Sequence, residues 1–495
     1  MESKQSKSNL KKILGNASEN PLLIALGVGL YPLFFYYSRN FGMINSWEQF
    51  RYFLLLFLVL PLVFFSFIKW LSKRSFSSKW GKYLLPFFSI FLFLFYIKII
   101  LYADIQRKII LGIFIISTLI AYFLYKHFKK WIALQLILAV IGFIGLVPML
   151  IKYLNYSSEW MKQPDNIEGV VFQKKPNIYY IQPDGYPSFS ELKSDFYKVD
   201  NSDFDAFLAE NNFKNYPNFR SNYITTITSN SATFMMKHHY YNNGRDYSEM
   251  LNARKNIISE NPVLSIFKNN GYKTHFITEH PYLMVNRPKI GFDFTNFQYS
   301  EIPYITTGFN ITRDAYEDLE NAIALKDTGG NFFFIEFFEP SHISTTKEAS
   351  KGKEAEREKW LEKLKLANIK LEKMINLISE KDPTALIMIM ADHGSFVGLD
   401  YTRQVYTKTT NPEIIYTTFG ALLSIRWPNG EAPEIDENLK SCVNVFRVLF
   451  SYLGDDGKYL QHLQKDESYL IIKEGAEPGV YEYIDDSGNI VFKKV

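Results

Sequence analysis

The sequence has a single cysteine and no excess of charge of one sign, and each shortage excludes a class of protein. Cys442 is the only cysteine among 495 residues, so neither an intramolecular disulfide nor a cysteine-based metal cluster can form. The 55 basic and 51 acidic residues leave a net charge of +4. This balance does not favour binding to nucleic acid, which is typical of chains with a clustered basic excess.

Apolar residues are plentiful, but they are concentrated at one end. The first third is rich in Phe, Leu, Ile and Tyr, whereas the rest has the composition of a water-soluble protein. Five segments there are long enough to cross the roughly 30 Å hydrocarbon layer as helices, and they are nearly free of charge. We therefore predict a transmembrane domain over residues 1–151, not a cleaved signal peptide or a series of buried core helices. The segments are 21–38, 52–71, 83–103, 108–125 and 131–151.

Basic residues in the short polar segments predict the orientation of these spans, because such residues are retained on the cytoplasmic side. Twelve fall on one side of the predicted membrane and four on the other. The N-terminus is therefore expected in the cytoplasm of a multi-pass cell-membrane protein, and five crossings place everything after about residue 152 outside it. The twelve are Lys4, Lys7, Lys11, Lys12, Lys69, Lys73, Arg74, Lys79, Lys82, Lys126, Lys129 and Lys130, and the four are Arg39, Arg51, Arg107 and Lys108.

The remaining residues alternate between strand-like and helix-like runs. The strand-like runs are almost entirely apolar, which is typical of strands in a sheet that is covered on both faces. Residues 348–380 have the periodicity of an amphipathic helix. We predict an α/β domain with a mostly parallel central sheet over 175–470, after a polar linker over 152–174 and before a C-terminal hairpin or tail over 471–495. The strand-like runs are NIYYIQ (177–182), NFFFIEFF (331–338), ALIMIM (385–390) and TFGALLSIRWP (418–428).

Polar side chains follow three of these strands where each one ends. Asp184 follows NIYYIQ, His342 follows NFFFIEFF after three residues, and Asp392 and His393 follow ALIMIM. Each residue alone is more often part of a turn or a helix cap than a ligand. Ligands of parallel α/β sheets, however, bind beyond the carboxyl ends of the strands. Carboxylate and imidazole groups gathered there predict a site for a divalent cation.

A fourth segment, SNYITTITSNSATF (221–234), is rich in hydroxyl groups. It is either the polar start of a helix or a nucleophile placed at a helix N-terminus. In the second case, free N–H groups and the helix dipole would stabilise an anion. A hydroxyl bound to a metal ion loses its proton more easily and becomes a competent nucleophile. The pattern leaves both interpretations open.

Together, PNIYYIQPDGY, SNYITTITSNSATF, MIMADHGSF and VNVFRVLFSYLG resemble blocks of the alkaline phosphatase/sulfatase superfamily. Within it, the chain is similar to membrane-anchored sulfatase-like transferases such as lipoteichoic acid synthases and phosphoethanolamine transferases. The resemblance covers roughly residues 175–470. It implies a metal-dependent enzyme that moves a head group, phosphoethanolamine or phosphoglycerol, from a membrane lipid onto a cell-envelope glycan or lipid.

The resemblance also implies roles for single residues. Thr226 is the expected nucleophile, because SNY-x-x-T is how this block reads in the subgroup, and Thr225 is the competitor one position away. His342 is expected to contact substrate or protonate the leaving group, although this chain has Pro-Ser-His where the family has Pro-His. Glu336 stands where the family often has a histidine, so one complete ligand set is expected. The implied ligands of Zn²⁺ or Mn²⁺, or else Mg²⁺, are Asp184, Thr226, Asp392 and His393.

Several alternatives follow from the same residues. A true sulfatase needs a Cys or Ser in C/S-x-P-x-R, and neither Thr226 nor Cys442 lies in such a motif. A phosphodiesterase or phosphatase of the superfamily, or a non-catalytic glycan-binding relative, fits the same blocks. His238 and His239 are either additional proton donors or structural histidines, and we favour the second reading. Donor, acceptor and oligomeric state are not indicated by the sequence.

Overall fold

The structure, a computed structural model, describes residues 20–74, 78–102, 106–243, 251–326 and 329–495. The chain forms two units. The first contains the chain up to Tyr156 together with Val285–Arg287 and Pro303–Thr307, and the second contains Ser157–Met284, Pro288–Ile302 and Gly308–Val495. Lys4, Lys7, Lys11 and Lys12, which support the predicted orientation, and residue 103 at the end of the third predicted span lie outside the described residues.

Apolar helices make up the first unit. Among the described residues, four continuous helical stretches are long and apolar enough to cross a membrane. The last one, Arg107–Leu154, has 48 residues, which is about twice what one crossing needs. A 3₁₀ turn at Tyr125–His127 divides it into two helices that correspond to the fourth and fifth predicted spans. The helices are α1 (Pro21–Ile44), α2 (Trp47–Leu54), α3 (Leu60–Arg74), α4 (Ser78–Leu101), α5 (Arg107–Leu124) and α6 (Phe128–Leu154).

A seven-stranded sheet lies at the centre of the second unit, in the order β2-β7-β6-β1-β5-β3-β4. Six strands run in one direction, and only β7 runs in the opposite direction. The prediction of a mostly parallel sheet is therefore confirmed. The strands are β1 (Ile178–Pro183), β2 (Lys214–Asn215), β3 (Lys273–Thr278), β4 (Phe294–Thr295), β5 (Asn331–Phe337), β6 (Leu386–Met390) and β7 (Leu423–Arg426).

The apolar strands pair through stacked aromatic rings. Every residue of β1, β5 and β6 is buried, as their uninterrupted apolar sequences predict. Tyr179 of β1 stacks on Phe333 of β5 with ring centroids 4.5 Å apart. Tyr180 stacks on Phe334 at 5.0 Å, and Phe334 stacks on Phe276 of β3 at 5.3 Å. Cross-strand pairs of this kind fix the register of neighbouring strands.

The helices of the second unit cover both faces of this sheet. The predicted helix over 348–380 is present as Lys353–Lys381, beginning after Gly352 (φ +94°). The prediction of a strand over 418–428 is wrong at its start, because residues 418 and 419 end a helix that Asn411 caps. The helices are α7 (Phe189–Leu192), α8 (Ser202–Glu210), α9 (Thr226–Met235), α10 (Ala253–Ile258), α11 (Pro262–Asn269), α12 (Ala315–Ala324), α13 (Lys353–Lys381), α14 (Pro412–Phe419) and α15 (Val445–Gly454).

Two peripheral segments pack on this core. Part of the predicted linker is held there, because buried Arg447 of α15 binds both carboxylate oxygens of Asp165, at 2.7 and 3.2 Å. At the other end, a three-stranded antiparallel sheet follows α15, with β8 (Ser468–Ile472), β9 (Gly479–Ile484) and β10 (Ile490–Lys494). The last two strands enclose the turn in DSGN.

The turn after β6 depends on a glycine that passes close to another backbone. A Cβ added at Gly394 would lie 2.1 Å from the carbonyl oxygen of Thr417 and 2.9 Å from that of Thr418. The Gly394 N–H also donates to the Thr418 carbonyl oxygen, at 3.1 Å. The backbone of residues 417–418 therefore leaves no room for a side chain at this position.

We expect Gly394→Ala to lower the free energy of unfolding by about 1–3 kcal/mol, because rigid backbone must shift to accept the methyl group. Urea unfolding of the full chain in detergent measures this change. Gly457→Ala is the matched control, since no atom lies within 4 Å of its added Cβ. Equal effects of the two substitutions would show that the close approach at Gly394 is not limiting.

Candidate metal centre and its cavity

Asp184, Asp392 and His393 come together because the strands that precede them, β1 and β6, are parallel neighbours. All three side chains are buried, and one ligand atom from each lies within 4.8 Å of the others. His393 Nε2 is 3.6 Å from Asp184 Oδ1 and 3.3 Å from Asp392 Oδ2. In the part of the chain that the structure describes, no other group of three acidic, histidine or cysteine side chains is arranged in this way.

The hydrogen bonds of this group fit a bound cation. His393 Nδ1 donates to the Gly394 carbonyl oxygen at 2.7 Å, so the lone pair of Nε2 faces the two carboxylates. Asp392 Oδ1 accepts from the Gly185 N–H at 3.1 Å, whereas buried Asp392 Oδ2 has no hydrogen-bond partner. Three electron-rich atoms that face each other away from water require a positive charge between them. Two carboxylates and an imidazole are a suitable donor set for Zn²⁺ or Mn²⁺.

The electrostatics of the group agree with this reading. Burial raises the pKa of Asp392, and the neighbouring Asp184 carboxylate raises it further against the opposing effect of His393. Burial alone would lower the pKa of His393, but Asp392 and Asp184 outweigh that effect and raise it. Burial dominates the Asp392 shift and the two carboxylates dominate the rise for His393, and a divalent cation held there would offset this buried negative charge.

The two competing threonines have different partners. Thr225 is the N-cap of α9, and its Oγ1 accepts from the Thr228 N–H at 3.3 Å and pairs with Thr228 Oγ1 at 2.8 Å. Thr226 is the first residue of the helix, and its Oγ1 donates to Asp184 Oδ1 at 3.1 Å. The Thr226 hydroxyl thus lies beside the buried carboxylates and at a helix N-terminus, and the helix N-terminus stabilises an anion.

His342 lies on the loop after β5, next to the same group. Its ring centroid is 6.5 Å from that of His393, and its Nδ1 donates to the Ile343 carbonyl oxygen at 2.7 Å. Burial lowers the pKa of His342, which favours the neutral imidazole. Ser341 (φ +62°), the residue between Pro340 and His342, is held by two hydrogen bonds. Its N–H donates to the Asp184 carbonyl oxygen at 2.8 Å, and its carbonyl oxygen accepts from Trp360 Nε1 at 2.9 Å.

A cavity of about 940 Å³ opens over these residues. Its lining includes Asp184, Thr225, Thr226, His342 and His393. The structure therefore brings the predicted site residues together at one cavity: Asp392 does not line it, but its Oδ2 lies 3.3 Å from Nε2 of His393, which does. The space is larger than a single phosphoryl group requires and leaves room for the groups esterified to it.

Glu336 is a buried acid near this centre whose environment the sequence did not predict. Its carboxylate accepts from Thr278 Oγ1 at 3.1 Å and from Gln182 Nε2 at 3.4 Å. Burial raises its pKa well above the usual range, and Asp392 and Asp184 add to the shift. These effects favour the uncharged form of the Glu336 carboxyl group. The available signal was a single glutamate inside the apolar strand NFFFIEFF.

His238 and His239 lie away from the cavity, as structural histidines. His239 Nε2 donates to the Thr228 carbonyl oxygen at 2.9 Å, its Nδ1 accepts from the Tyr241 N–H at 2.9 Å, and its ring stacks on Tyr223 at 3.9 Å. His238 Nε2 donates to the Lys465 carbonyl oxygen at 2.8 Å. Burial lowers the pKa of His239 to about 3 and that of His238 to about 4.

These two pKa values predict acid sensitivity of the fold. Below about pH 6.5 the unfolded chain protonates both histidines while the folded chain does not, so stability falls as the pH drops from 6.5 to 4. His239→Gln should remove one of these protons. The slope of the free energy of unfolding against pH should then fall by about 1.4 kcal/mol per pH unit. Urea unfolding at pH 4.5 to 7 measures the slope, with exposed His462→Gln as control. An unchanged slope in His239→Gln would contradict this account.

One family model matches this chain. The Sulfatase family model matches residues 189–454, which is more than half of the chain and includes Thr226, His342, Asp392 and His393; Asp184 lies five residues before the match. No curated protein sequence matches the chain.

Solved structures with a similar fold include three envelope proteins. The C-terminal periplasmic domain of EcEptC from Escherichia coli is 12% identical, with 64% of this chain and 95% of that one covered at a TM-score of 0.40. The lipooligosaccharide phosphoethanolamine transferase EptA from Neisseria meningitidis is 14% identical, with 87% of this chain and 95% of that one covered at a TM-score of 0.38. The lipoteichoic acid synthase LtaP from Listeria monocytogenes is 13% identical, with 66% of this chain and 91% of that one covered at a TM-score of 0.40.

The family match confirms the resemblance that the motifs indicate. It covers the helix that begins at Thr226 and the strand β6, which ends at Met390, two residues before Asp392. The chain belongs to the Sulfatase family, in the alkaline phosphatase superfamily.

Proposed function

We propose that this protein is a metal-dependent phosphoester transferase that acts outside the cytoplasm and uses Thr226 as its nucleophile. The observation that carries the proposal is the hydrogen bond from Thr226 Oγ1 to Asp184 Oδ1 at 3.1 Å, at the N-terminus of α9. This bond holds the hydroxyl of the first residue of α9 against the buried carboxylate of Asp184. Thr225, in contrast, uses its hydroxyl to cap the helix.

Thr226 Oγ1 forms a bond to the phosphorus atom of the donor, the bond from phosphorus to the leaving oxygen breaks, and the proton of the Thr226 hydroxyl passes to that oxygen, which leaves as an alcohol. The N–H groups of the first turn of α9 stabilise the charge on the phosphoryl oxygens. A divalent cation held by Asp184, Asp392 and His393 together with Thr226 supplies, when bound, a Lewis acid that lowers the pKa of the hydroxyl. The product of this step is a phosphothreonine ester that retains the head group.

In the second step an acceptor hydroxyl attacks the phosphorus atom and releases Thr226. His342 is suited to take the proton of that hydroxyl, because its Nδ1–H is held by the Ile343 carbonyl and its other nitrogen is an acceptor in this tautomer. This role as a base differs from the leaving-group acid that the resemblance implies. The same nitrogen, once protonated, returns a proton to the Thr226 oxygen.

We propose a membrane phospholipid as the donor of phosphoethanolamine or phosphoglycerol, and a cell-envelope glycan or lipid as the acceptor. The apolar helices of the first unit support this choice, because an enzyme anchored in the bilayer stays beside a lipid substrate. Hydrolysis, with water as the acceptor, uses the same residues and is the second candidate. A non-catalytic role leaves the buried Asp184–Asp392–His393 arrangement unexplained.

We expect Thr226→Ala to lower transfer of head group from a fluorescent phosphatidylethanolamine by about 10³-fold or more, because the nucleophile is lost. The bound metal, measured by elemental analysis of the full chain in detergent, should remain. Thr225→Ala should lose a helix cap that contributes about 1 kcal/mol and keep most of its activity.

Asp392→Asn should lose both the bound metal and the transfer activity, whereas Thr226→Ala should lose only the activity. Substantial activity in Thr226→Ala, or equal loss in Thr225→Ala, would contradict the assignment of the nucleophile. Removal of metal by a chelator should abolish transfer, and Zn²⁺ or Mn²⁺ should restore it.

The proposed orientation requires an odd number of crossings between the two ends of the chain. An alkaline phosphatase reporter fused after Val495 should therefore be active, since that enzyme folds only outside the cytoplasm. A green fluorescent protein fused at the same place should be dark when exported through the general secretion pathway. Fluorescence without phosphatase activity would place the proposed catalytic domain inside and overturn the orientation.

A further inference from the structure

A groove in the first unit lies between three apolar helices and has a polar end. Its volume is about 180 Å³, and it is bounded by α4, α5, the 3₁₀ turn at Tyr125–His127 and α6. Pro86 and Ile90 line it from α4, Ile120 from α5 and Leu134 from α6. None of the residues assigned to the proposed reaction lines it. The groove is therefore a feature for which the reaction does not account.

Two basic side chains line the same groove where α5 passes into α6. His127 belongs to the 3₁₀ turn, and Lys130 belongs to the first turn of α6. Both residues are exposed, and within the residues that the structure describes neither side chain has a hydrogen-bond or ion-pair partner. The ammonium group of Lys130 and the imidazole N–H of His127 are therefore available to a bound group.

Acidic side chains are almost absent from this part of the sequence. Residues 49–158 include one, Asp104, which comes after the end of α4, whereas the groove lies nearer the start of that helix. Lys82 of α4 adds a further positive charge, and its Nζ lies 5.0 Å from the ring centroid of Tyr83 and 4.9 Å from that of Tyr125. These rings carry no formal charge. The positive charge at this end of the helices is therefore matched by an anion from outside them.

Aromatic side chains indicate that this end of the helices lies at the surface of the bilayer. Trp and Tyr are enriched where the hydrocarbon layer meets the lipid head groups. The ring centroid of Tyr83 is 6.2 Å from that of Trp80, 5.7 Å from that of Tyr122 and 4.9 Å from that of Tyr125. Trp80 is 64% exposed and Tyr122 is 56% exposed. The two basic side chains of the groove thus lie near the depth of the lipid phosphates, and its apolar lining lies at the depth of the acyl chains.

We propose that this groove binds one anionic membrane phospholipid, with an acyl chain against Ile90, Ile120 and Leu134 and the phosphate at His127 and Lys130. Hydrogen bonds between cationic side chains and phosphate are about twice as strong as neutral ones. In the predicted orientation this end of the helices faces the cytoplasm, where anionic lipids give the membrane surface a negative potential. A lipid with a net negative charge fits the groove better than a zwitterionic lipid, whose own cationic group offsets its phosphate.

Native mass spectrometry of the full chain in detergent counts bound lipids and tests this site. Phosphatidylserine, which has a net negative charge, is compared with phosphatidylcholine, which has none and carries the same acyl chains. Neither lipid carries a head group proposed for the donor. The dissociation constant should be about 10-fold or more lower for phosphatidylserine, the gain expected from one charge-assisted contact. Glycerophosphoserine, which is the same head group without acyl chains, should not displace the lipid.

Loss of the two basic side chains should remove this preference. In His127→Gln/Lys130→Gln the ratio of the two dissociation constants should fall to near one. Arg107→Gln/Lys108→Gln is the matched control, because it also removes two exposed basic side chains, at the opposite end of α5 and outside the groove. This control should keep the ratio of the wild-type protein.

A wild-type ratio near one, an unchanged ratio in His127→Gln/Lys130→Gln, or displacement of the lipid by glycerophosphoserine would overturn the proposal. Dimers without bound lipid would also overturn it, because they would show that a second copy of the chain covers the groove. Binding is measured without turnover, so the result is independent of the proposed reaction.

Discussion

The structure depends on one electrostatic constraint, the burial of two carboxylates and an imidazole at the ends of adjacent parallel strands. Asp184 and Asp392 have little access to water, and His393 presents its lone pair to both of them. Such an arrangement is unfavourable without a positive charge. In the proposed mechanism a divalent cation held there would satisfy it and would also lower the pKa of the Thr226 hydroxyl. Stability of the site and chemistry of the site therefore have a common origin.

Several local features serve this arrangement. Gly394 lets the chain turn away from β6 against the backbone of Thr417, which directs Asp392 and His393 toward β1. Gly185 (φ +65°) lies so close to the Ser341 carbonyl that a Cβ would be 2.7 Å from it, and the Gly185 N–H binds Asp392. Thr225 caps α9, and this leaves the hydroxyl of the next residue for the carboxylate group. The protein thus uses backbone geometry to position acidic side chains that repel each other.

The sequence was most informative where a short pattern determines local structure. Apolar runs identified β1, β5 and β6, and the parallel order of such strands explains why the residues after them meet. Contacts between distant segments could not be predicted. The environment of the buried Glu336 carboxyl group depends on neighbours such as Thr278, which lies 58 residues away. The choice between Thr225 and Thr226 depends on which residue begins the helix, and helix ends are the least certain feature of a pattern.

The central claim, that Thr226 forms a covalent ester with the transferred group, has a direct test. The full-length protein is mixed with phosphatidylethanolamine, quenched in acid within one turnover, digested and examined by mass spectrometry. The account predicts a phosphoethanolamine adduct on Thr226 and an unmodified Thr225. An active preparation that carries no adduct at Thr226, or carries it on another residue, would contradict the account.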